Sequence, residues 1–354
     1  MIEALRDVEV SIGAKFEDSV AVSFGNDAAA ILAVQEGVAL CDRSHWGRIL
    51  VGDADRLRFL HNQSTNDFQK LKPGEGCDTV FVTSTARTID LATGYVLEDA
   101  VLLLVSPNRR DKLMKWLDQY IFFADKVKLT DITDDTATFS LIGPQSDAIL
   151  EKLGAESIIG QAYASHQLLP ILPNPSSEAG DKVEVRVAVG SGLAIPGYTL
   201  IVPAGDAAKV WSNLVQAGAV PMGSSIWEQL RIEQGRPVPD RELTEDYNPL
   251  EAGLWQTISF SKGCYIGQET IARLNTYKGV KQQLWGIRLQ APAEPGSIIT
   301  VGDEKVGKLT SYTESDRGCF GLGYVRTKAG GKGLKVQVGG TEGEVVDVPF
   351  ITHE

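Results

Sequence analysis

Val101-Leu102-Leu103-Leu104-Val105 runs into SPNRRDKLMKWL (106–117), and Tyr198-Thr199-Leu200-Ile201-Val202 runs into PAGDAAKVWSNL (203–214). Each stretch reads as an apolar strand, a Pro-containing turn and an amphipathic helix. In the first, Ser106 is placed to cap the helix and Pro107 to take its first position, with Leu113, Trp116, Leu117 and Tyr120 at helical spacing. In the second, Val210, Trp211, Leu214 and Val215 form the matching stripe, and Gly218 can close it. Upstream of each lies another strand–helix pair: Arg48-Ile49-Leu50-Val51 before GDADRLRFL (52–60), and Phe139-Ser140-Leu141-Ile142 before GPQSDAILEKLG (143–154). The same order occurs twice at similar separations. It predicts an α+β fold with a duplicated unit, each half packing two helices on one face of a small sheet.

Beyond Lys281 the texture changes. Short apolar runs at Leu284–Leu289, Ser297–Val301, Lys305–Ser311, Cys319–Val325, Leu334–Val338 and Val345–Val348 are separated by Gly/Asp turns, with no helical stripe. That pattern predicts a small C-terminal β-barrel or sandwich. The expected division is 1–135 for the first α+β unit, 136–280 for the second and 281–354 for the β domain, with the two units free to interleave in space. Ser225-Ile226-Trp227-Glu228 has the form of a capping box opening a helix that Gly235 can end, and Arg236-Pro237-Val238-Pro239 stops regular structure. Leu169–Glu178, rich in Pro and Ser, reads as an exposed excursion, and the acidic stretch Asp240–Asp246 as a solvated loop.

Composition bounds the function. The 354 residues carry 34 Lys+Arg against 46 Asp+Glu, a net charge of −12, with 43% hydrophobic residues. That is enough apolar surface for packed cores, which excludes a disordered chain, and the acidic balance argues against a nucleic-acid partner. No apolar run approaches the roughly 20 residues that span a bilayer, so no membrane partner is expected, and the N-terminus lacks a signal-peptide core. Four cysteines (41, 77, 264, 319) form no CxxC pair, which points to a reducing compartment, with Cys41, Cys77 and Cys319 as small hydrophobes. The four histidines share no metal-like spacing; His45 and His61 read as structural, and no metal site is expected.

The densest chemical segment is Ser261-Lys262-Gly263-Cys264-Tyr265-Ile266-Gly267-Gln268-Glu269-Thr270-Ile271-Ala272-Arg273. Glycines flank a cysteine placed just before a helix that begins near Gln268. The helix dipole and Lys262 both favour a thiolate. The same spacing suits a tight turn with an inert thiol, since no general base is visible nearby. Trp227 and Arg231, at i and i+4, can present a flat wall and a charge to a ligand, or serve as core with Arg231 paired to Glu228.

Lys262-Gly263-Cys264-Tyr265-Ile266-Gly267-Gln268-Glu269 resembles the signature of the YgfZ/Iba57 family, folate-binding relatives of the glycine-cleavage T-protein (aminomethyltransferase) that serve iron–sulfur cluster assembly or repair. Leu230–Gly235, Asn248–Leu254, Asp42–Ile49, Thr65-Asn66-Asp67 and Leu71–Gly74 resemble the wider T-protein superfamily, in family order. The resemblance implies two α+β units and a C-terminal β-barrel arranged around a central folate pocket. It implies tetrahydrofolate, or a one-carbon derivative, as cofactor, with Asp90, Trp227, Arg231, Tyr265, Gln268 and Glu269 as binding residues and Cys264, assisted by Lys262, as the working thiol. Iron–sulfur client or assembly proteins are the implied partners. Ala86-Arg87-Thr88-Ile89-Asp90-Leu91 stands where the aminomethyltransferases carry Gly-Gly-x-x-Asp-Asp, and Gly197-Tyr198-Thr199-Leu200-Ile201 replaces their Gly-Tyr-Thr-Gly-Glu-Asp-Gly. One carboxylate and an acidic loop are therefore missing, which weighs against glycine cleavage. A tetrahydrofolate-dependent aminomethyl or methyl transferase with another donor and a non-catalytic docking module are the alternatives. Thr276–Gln282 resembles the photosynthetic branch, which implies the chloroplast stroma, with the bacterial cytoplasm as alternative.

Overall fold

The computed structural model describes residues 3–171 and 182–353. In chain order it contains α1 (Glu3–Ser11), β1 (Lys15–Glu17), β2 (Val20–Ser23), α2 (Asp27–Glu36), β3 (Ala39–Asp42), β4 (Gly47–Gly52), α3 (Arg56–Gln63), β5 (Gly76–Val82), β6 (Thr88–Val96) and β7 (Ala100–Val105). There follow α4 (Arg110–Asp118), β8 (Lys128–Asp131), β9 (Thr136–Ile142), α5 (Ser146–Lys152), β10 (His166–Ile171), β11 (Val183–Val189), β12 (Gly197–Pro203), α6 (Ala207–Gln216), β13 (Val220–Met222), α7 (Ser224–Gln234) and α8 (Gln268–Thr276). Six further strands complete the chain: β14 (Gln282–Leu289), β15 (Ile298–Val301), β16 (Glu304–Ser315), β17 (Gly318–Arg326), β18 (Lys335–Val338) and β19 (Thr341–Val346). Two compact units are built from discontinuous segments: Met1–Arg56, Leu71–Cys77 and Thr93–Glu228 in the first; Leu57–Lys70, Asp78–Ala92 and Gln229–Glu354 in the second.

The first unit holds a six-stranded sheet in the order β10-β11-β12-β9-β3-β13, antiparallel except where β13 joins β3. Strands β9 and β12 lie side by side, with Tyr198 opposite Leu141. Phe139 and Leu141, Leu200 and Val202 share one core with Ile149 and Leu150 of α5 and Val210, Trp211 and Leu214 of α6. The Trp211 indole meets the Phe139 ring edge-on at 5.2 Å, and Gly218, at φ +112°, lets the chain leave α6 in a left-handed turn that an L side chain resists. The other strand pair of the repeat does the same thing: β4 and β7 are antiparallel neighbours, Val51 opposite Val101, in a second sheet ordered β5-β6-β7-β4-β8. All six residues of β7 are buried, which explains its unbroken apolar run. Both repeats thus place their two strands in direct antiparallel contact, and the expected α+β fold is present.

Some local expectations need correction. Helix α4 starts at Arg110 rather than at Pro107, and its N-cap is Arg109 with no side-chain capping bond. The Arg109 amide donates to the Ser106 carbonyl at 3.1 Å and Asn108 takes φ +62°, so a tight turn is made before the helix begins. Of the excursion expected at Leu169–Glu178, Leu169, Pro170 and Ile171 are edge-strand residues of β10, where a missing amide is tolerated; residues 172–178 lie outside the described residues.

In the second unit all six expected C-terminal strands form, and they close into a barrel ordered β14-β17-β16-β15-β18-β19. Ile287, Ile299, Leu309, Val325, Val338 and Val345 fill it. The acidic stretch Asp240–Asp246 is not a solvated loop throughout. Glu242 and Leu243 are buried. The Glu242 carboxylate accepts from Arg231 (2.9 Å), Thr310 (2.7 Å) and Ser311 (2.6 Å), and the Tyr324 hydroxyl donates to its carbonyl (2.8 Å). Its partners come from α7 and from strands far along the chain, so the local charge pattern could not reveal them. Among the described residues, no helix is long and apolar enough to cross a membrane.

Candidate functional site

The Ser261–Arg273 segment lies in the second unit and is held by its own lysine. Lys262 is buried; its ammonium donates to the carbonyl oxygens of His61, Ser64 (2.7 Å) and Asn66 (2.7 Å) and stands 4.6 Å from the centre of the Tyr265 ring. Helix α3 ends at Gln63, so the cation sits where the negative end of a helix dipole and its unpaired carbonyls need one. The Ile266 amide donates to the Asn62 carbonyl at 3.0 Å, tying the turn down a second time. Gly267 then takes φ +81° as the N-cap of α8. A Cβ there would sit 2.9 Å from the Thr83 carbonyl oxygen and 3.1 Å from the Ala86 Cα, so only glycine fits. Ile271 of α8 is fully buried among Ala86, Leu250, Trp255 and Ile258.

Cys264 is exposed at the crest of this turn. His61, buried at the end of α3, hydrogen-bonds Asp67 Oδ1 through Nδ1 at 3.0 Å. That partner places the proton on Nδ1 and leaves Nε2 as the acceptor. Nε2 faces Gly263, 3.6 Å from where a Cβ on that residue would lie. Burial, reinforced by the Lys262 cation, holds the imidazole below its usual range against the pull of Asp67, so it is neutral at neutral pH and able to take a proton. The structure thus brings a neutral imidazole against the residue next to Cys264, a group the sequence spacing did not reveal because 203 positions separate the two. Tyr265 is half-buried, and burial pushes its hydroxyl up to about 12, so it stays neutral. Gln268 and Glu269 open α8, the first half-buried and the second exposed.

The remaining expected ligand-binding residues lie on other elements. Asp90 is fully buried on β6 in the second unit. Trp227 lies in the first unit, where the Arg43 guanidinium is stacked 3.8 Å from Trp46 and 4.5 Å from Trp227. Arg231 donates to Glu242 and, at 2.8 Å, to Ser311. Trp227 thus lies against Arg43, and the Arg231 guanidinium pairs with Glu242 at 2.9 Å. Among the described residues, no group of three or more His, Cys, Asp or Glu side chains is placed to hold a metal ion.

A cavity of about 420 Å³ in the second unit opens beside α8. Arg87, Arg273 and Lys281 line it, against one carboxyl, Glu251, and the aromatic side chain there is Tyr277. Glu251 accepts the Asn248 amide at 3.1 Å, and burial raises its carboxyl above the ordinary range. Three cations, at most one anion and a flat ring suit an anionic ligand with an aromatic portion. These three cations lie at scattered sequence positions with no periodic signal, so spacing alone does not mark them as a site.

The family model of the GCVT N-terminal domain matches residues 9–262. The chain belongs to the GCVT family. A chloroplastic protein of Arabidopsis thaliana that carries the name of a transferase is 49% identical over 353 residues, covering 99% of this chain and 80% of that protein. An aminomethyltransferase of Halalkalibacterium halodurans is 29% identical over 290 residues, covering 80% of this chain and 76% of the relative. The crystal structure of the glycine cleavage system aminomethyltransferase T from Bartonella henselae superposes with a TM-score of 0.84 at 19% identity, covering 98% of this chain and 97% of that one. The GCVT chain therefore has the T-protein fold, α+β with a closed six-stranded C-terminal barrel.

Proposed function

We propose that this GCVT protein binds tetrahydrofolate and supports iron–sulfur cluster assembly or repair, as a plastid member of the YgfZ/Iba57 branch, with Cys264 as its working thiol. The observation that carries the reading is the exposed sulfhydryl of Cys264 on a turn that Lys262 and Gly267 hold rigid. A fixed turn removes the ordering cost of presenting a thiol to a partner. The Nε2 atom of His61 faces Gly263, the residue before the thiol, and cysteine sulfur is the ligand type that binds soft metals or exchanges with another sulfur. A chloroplastic relative at 49% identity supports the plastid location.

Tetrahydrofolate combines an aromatic pterin with an anionic glutamate tail. The cavity beside α8 fits that chemistry: Arg87, Arg273 and Lys281 would hold the tail and Tyr277 would flank it. When bound, the cofactor would supply a one-carbon acceptor or donor; Asp90, fully buried on β6, does not line this cavity. Titration of the full chain with tetrahydrofolate, followed by tryptophan fluorescence, tests this. Saturable binding should weaken about tenfold when Arg273 is replaced by Ala, the loss of one charge-assisted contact. No binding at millimolar ligand leaves the docking module as the function.

The second reading is a tetrahydrofolate-dependent aminomethyl or methyl transferase. It is favoured by the survival of a fully buried carboxyl, Asp90, on β6. One-carbon transfer to tetrahydrofolate in vitro, abolished by Asp90→Asn, would establish it in place of the first.

A further inference from the structure

We propose that the first unit carries a separate binding site for a small organic ammonium ion, in a cavity of about 340 Å³ lined by the carboxyls of Glu9 and Asp42. Glu9, on α1, is 2% exposed, and its Oε1 has no hydrogen-bond partner among the described residues. Buried polar atoms are nearly always paired, so an orphaned carboxyl oxygen on a residue that lines a cavity marks a place where a donor belongs. Asp42, at the end of β3, already accepts the amide (2.8 Å) and hydroxyl (2.5 Å) of Ser44 at Oδ1.

The charge around the pair selects the sign of the ligand. Burial and the nearby Asp42 push Glu9 up to about 9, and burial raises Asp42 as well, so the two carboxyls do not both ionise alone. Asp18 and Asp134 add negative charge to the lining. The cations nearby are engaged: Arg110 pairs with Asp111 (2.8 Å) and Asp131 (3.3 Å), the Arg6 guanidinium lies 4.7 Å over the Phe16 ring, and Arg48, whose charge acts on Asp42, donates to the Ser44 carbonyl (2.9 Å) and to the hydroxyl (2.9 Å) and carbonyl (2.8 Å) of Thr136. His45 completes the titratable groups of the lining. An ammonium carries several N–H donors and one positive charge, which satisfies Oε1 and lets the pair ionise. The apolar walls, Leu5, Phe16 and Val20, suit a short alkyl chain. Among the described residues, no set of three carboxylate, His or Cys ligands offers the alternative of a metal ion. This site is independent of the thiol and folate readings.

The test is calorimetric titration of the full chain with n-pentylammonium chloride at neutral pH, in buffers of different ionisation enthalpy, with pentanol and pentanoate as matched controls. Binding should be saturable and should release about one proton per ligand, since it ionises a carboxyl that is protonated in the free protein. Affinity should fall about tenfold or more in Glu9→Gln, which keeps the shape but removes the charge. Asp42→Asn provides a second variant and should weaken binding in the same way. No saturable heat with millimolar probe, binding without proton release, equal binding of pentanol or pentanoate, or undiminished binding by both variants overturns the proposal.

Discussion

Two buried glutamates, one in each unit, show opposite uses of a carboxyl. Glu242 is fully buried and fully satisfied: Arg231, Thr310 and Ser311 converge on its two oxygens. Glu9 is almost as buried, has an oxygen without a partner among the described residues and has Asp42 as its charged neighbour. A buried charge surrounded by donors is architecture, because the folded state supplies what water gave up. A buried carboxyl beside another carboxyl raises the free energy of the fold whenever it ionises, and it is relieved by whatever brings a positive charge. Burial alone does not separate the two; the partner atoms do.

The largest expected effect is at the satisfied pair. Arg231→Met should lower unfolding stability in urea by about 3–5 kcal/mol, because it strands the Glu242 charge in the interior. Arg231→Met with Glu242→Leu should recover most of that loss. Equal destabilisation by the single and double variants would show that the loss does not come from a stranded Glu242 carboxyl. Next, Gly267→Ala should cost about 1–3 kcal/mol through the left-handed backbone and the contacts a Cβ would force, and should disturb the environment of Cys264 as read by alkylation kinetics. Glu9→Gln should match the wild type at low pH, where both side chains are neutral, and should be the more stable of the two near neutrality. Between the unfolded carboxyl value of 4.5 and about 9, native Glu9 keeps a proton that the unfolded chain has released. The unfolded state then binds fewer protons, so stability falls as pH rises through that window. The variant should flatten this decline, and a profile unchanged by the substitution would contradict the assignment. The smallest effect belongs to an exposed pair: Lys332→Ala, which removes a cation 2.6 Å from Asp347, should leave the urea midpoint unchanged.

The fold was legible because its signals are local. The unbroken run of β7, the stripe Val210-Trp211-Leu214 on α6 and the short, turn-separated runs after Lys281 each follow from periods that burial imposes on a strand or helix. The start of α4 was misplaced by three residues because Ser-Pro can open a helix or a turn, and the Asn108 backbone chose the turn. The Cys264 turn and the helix after it were also readable from glycine spacing. What surrounds that turn was not. His61 comes to Gly263 across two hundred positions, Arg87, Arg273 and Lys281 converge from separate segments, and Glu242 finds Arg231 and Ser311 through tertiary packing. Charges leave no period in a sequence when their partners lie on other elements. A polar cluster is therefore visible only once the chain is folded.

The central claim concerns one sulfur atom. In cells lacking the native protein, restored iron–sulfur enzyme activity should be measured for the wild-type chain and for Cys264→Ala. Cys264 is exposed, so its loss should leave the melting temperature unchanged. Rescue by the wild type and its loss in a normally folded alanine variant is the expected result; full rescue by Cys264→Ala would contradict the account.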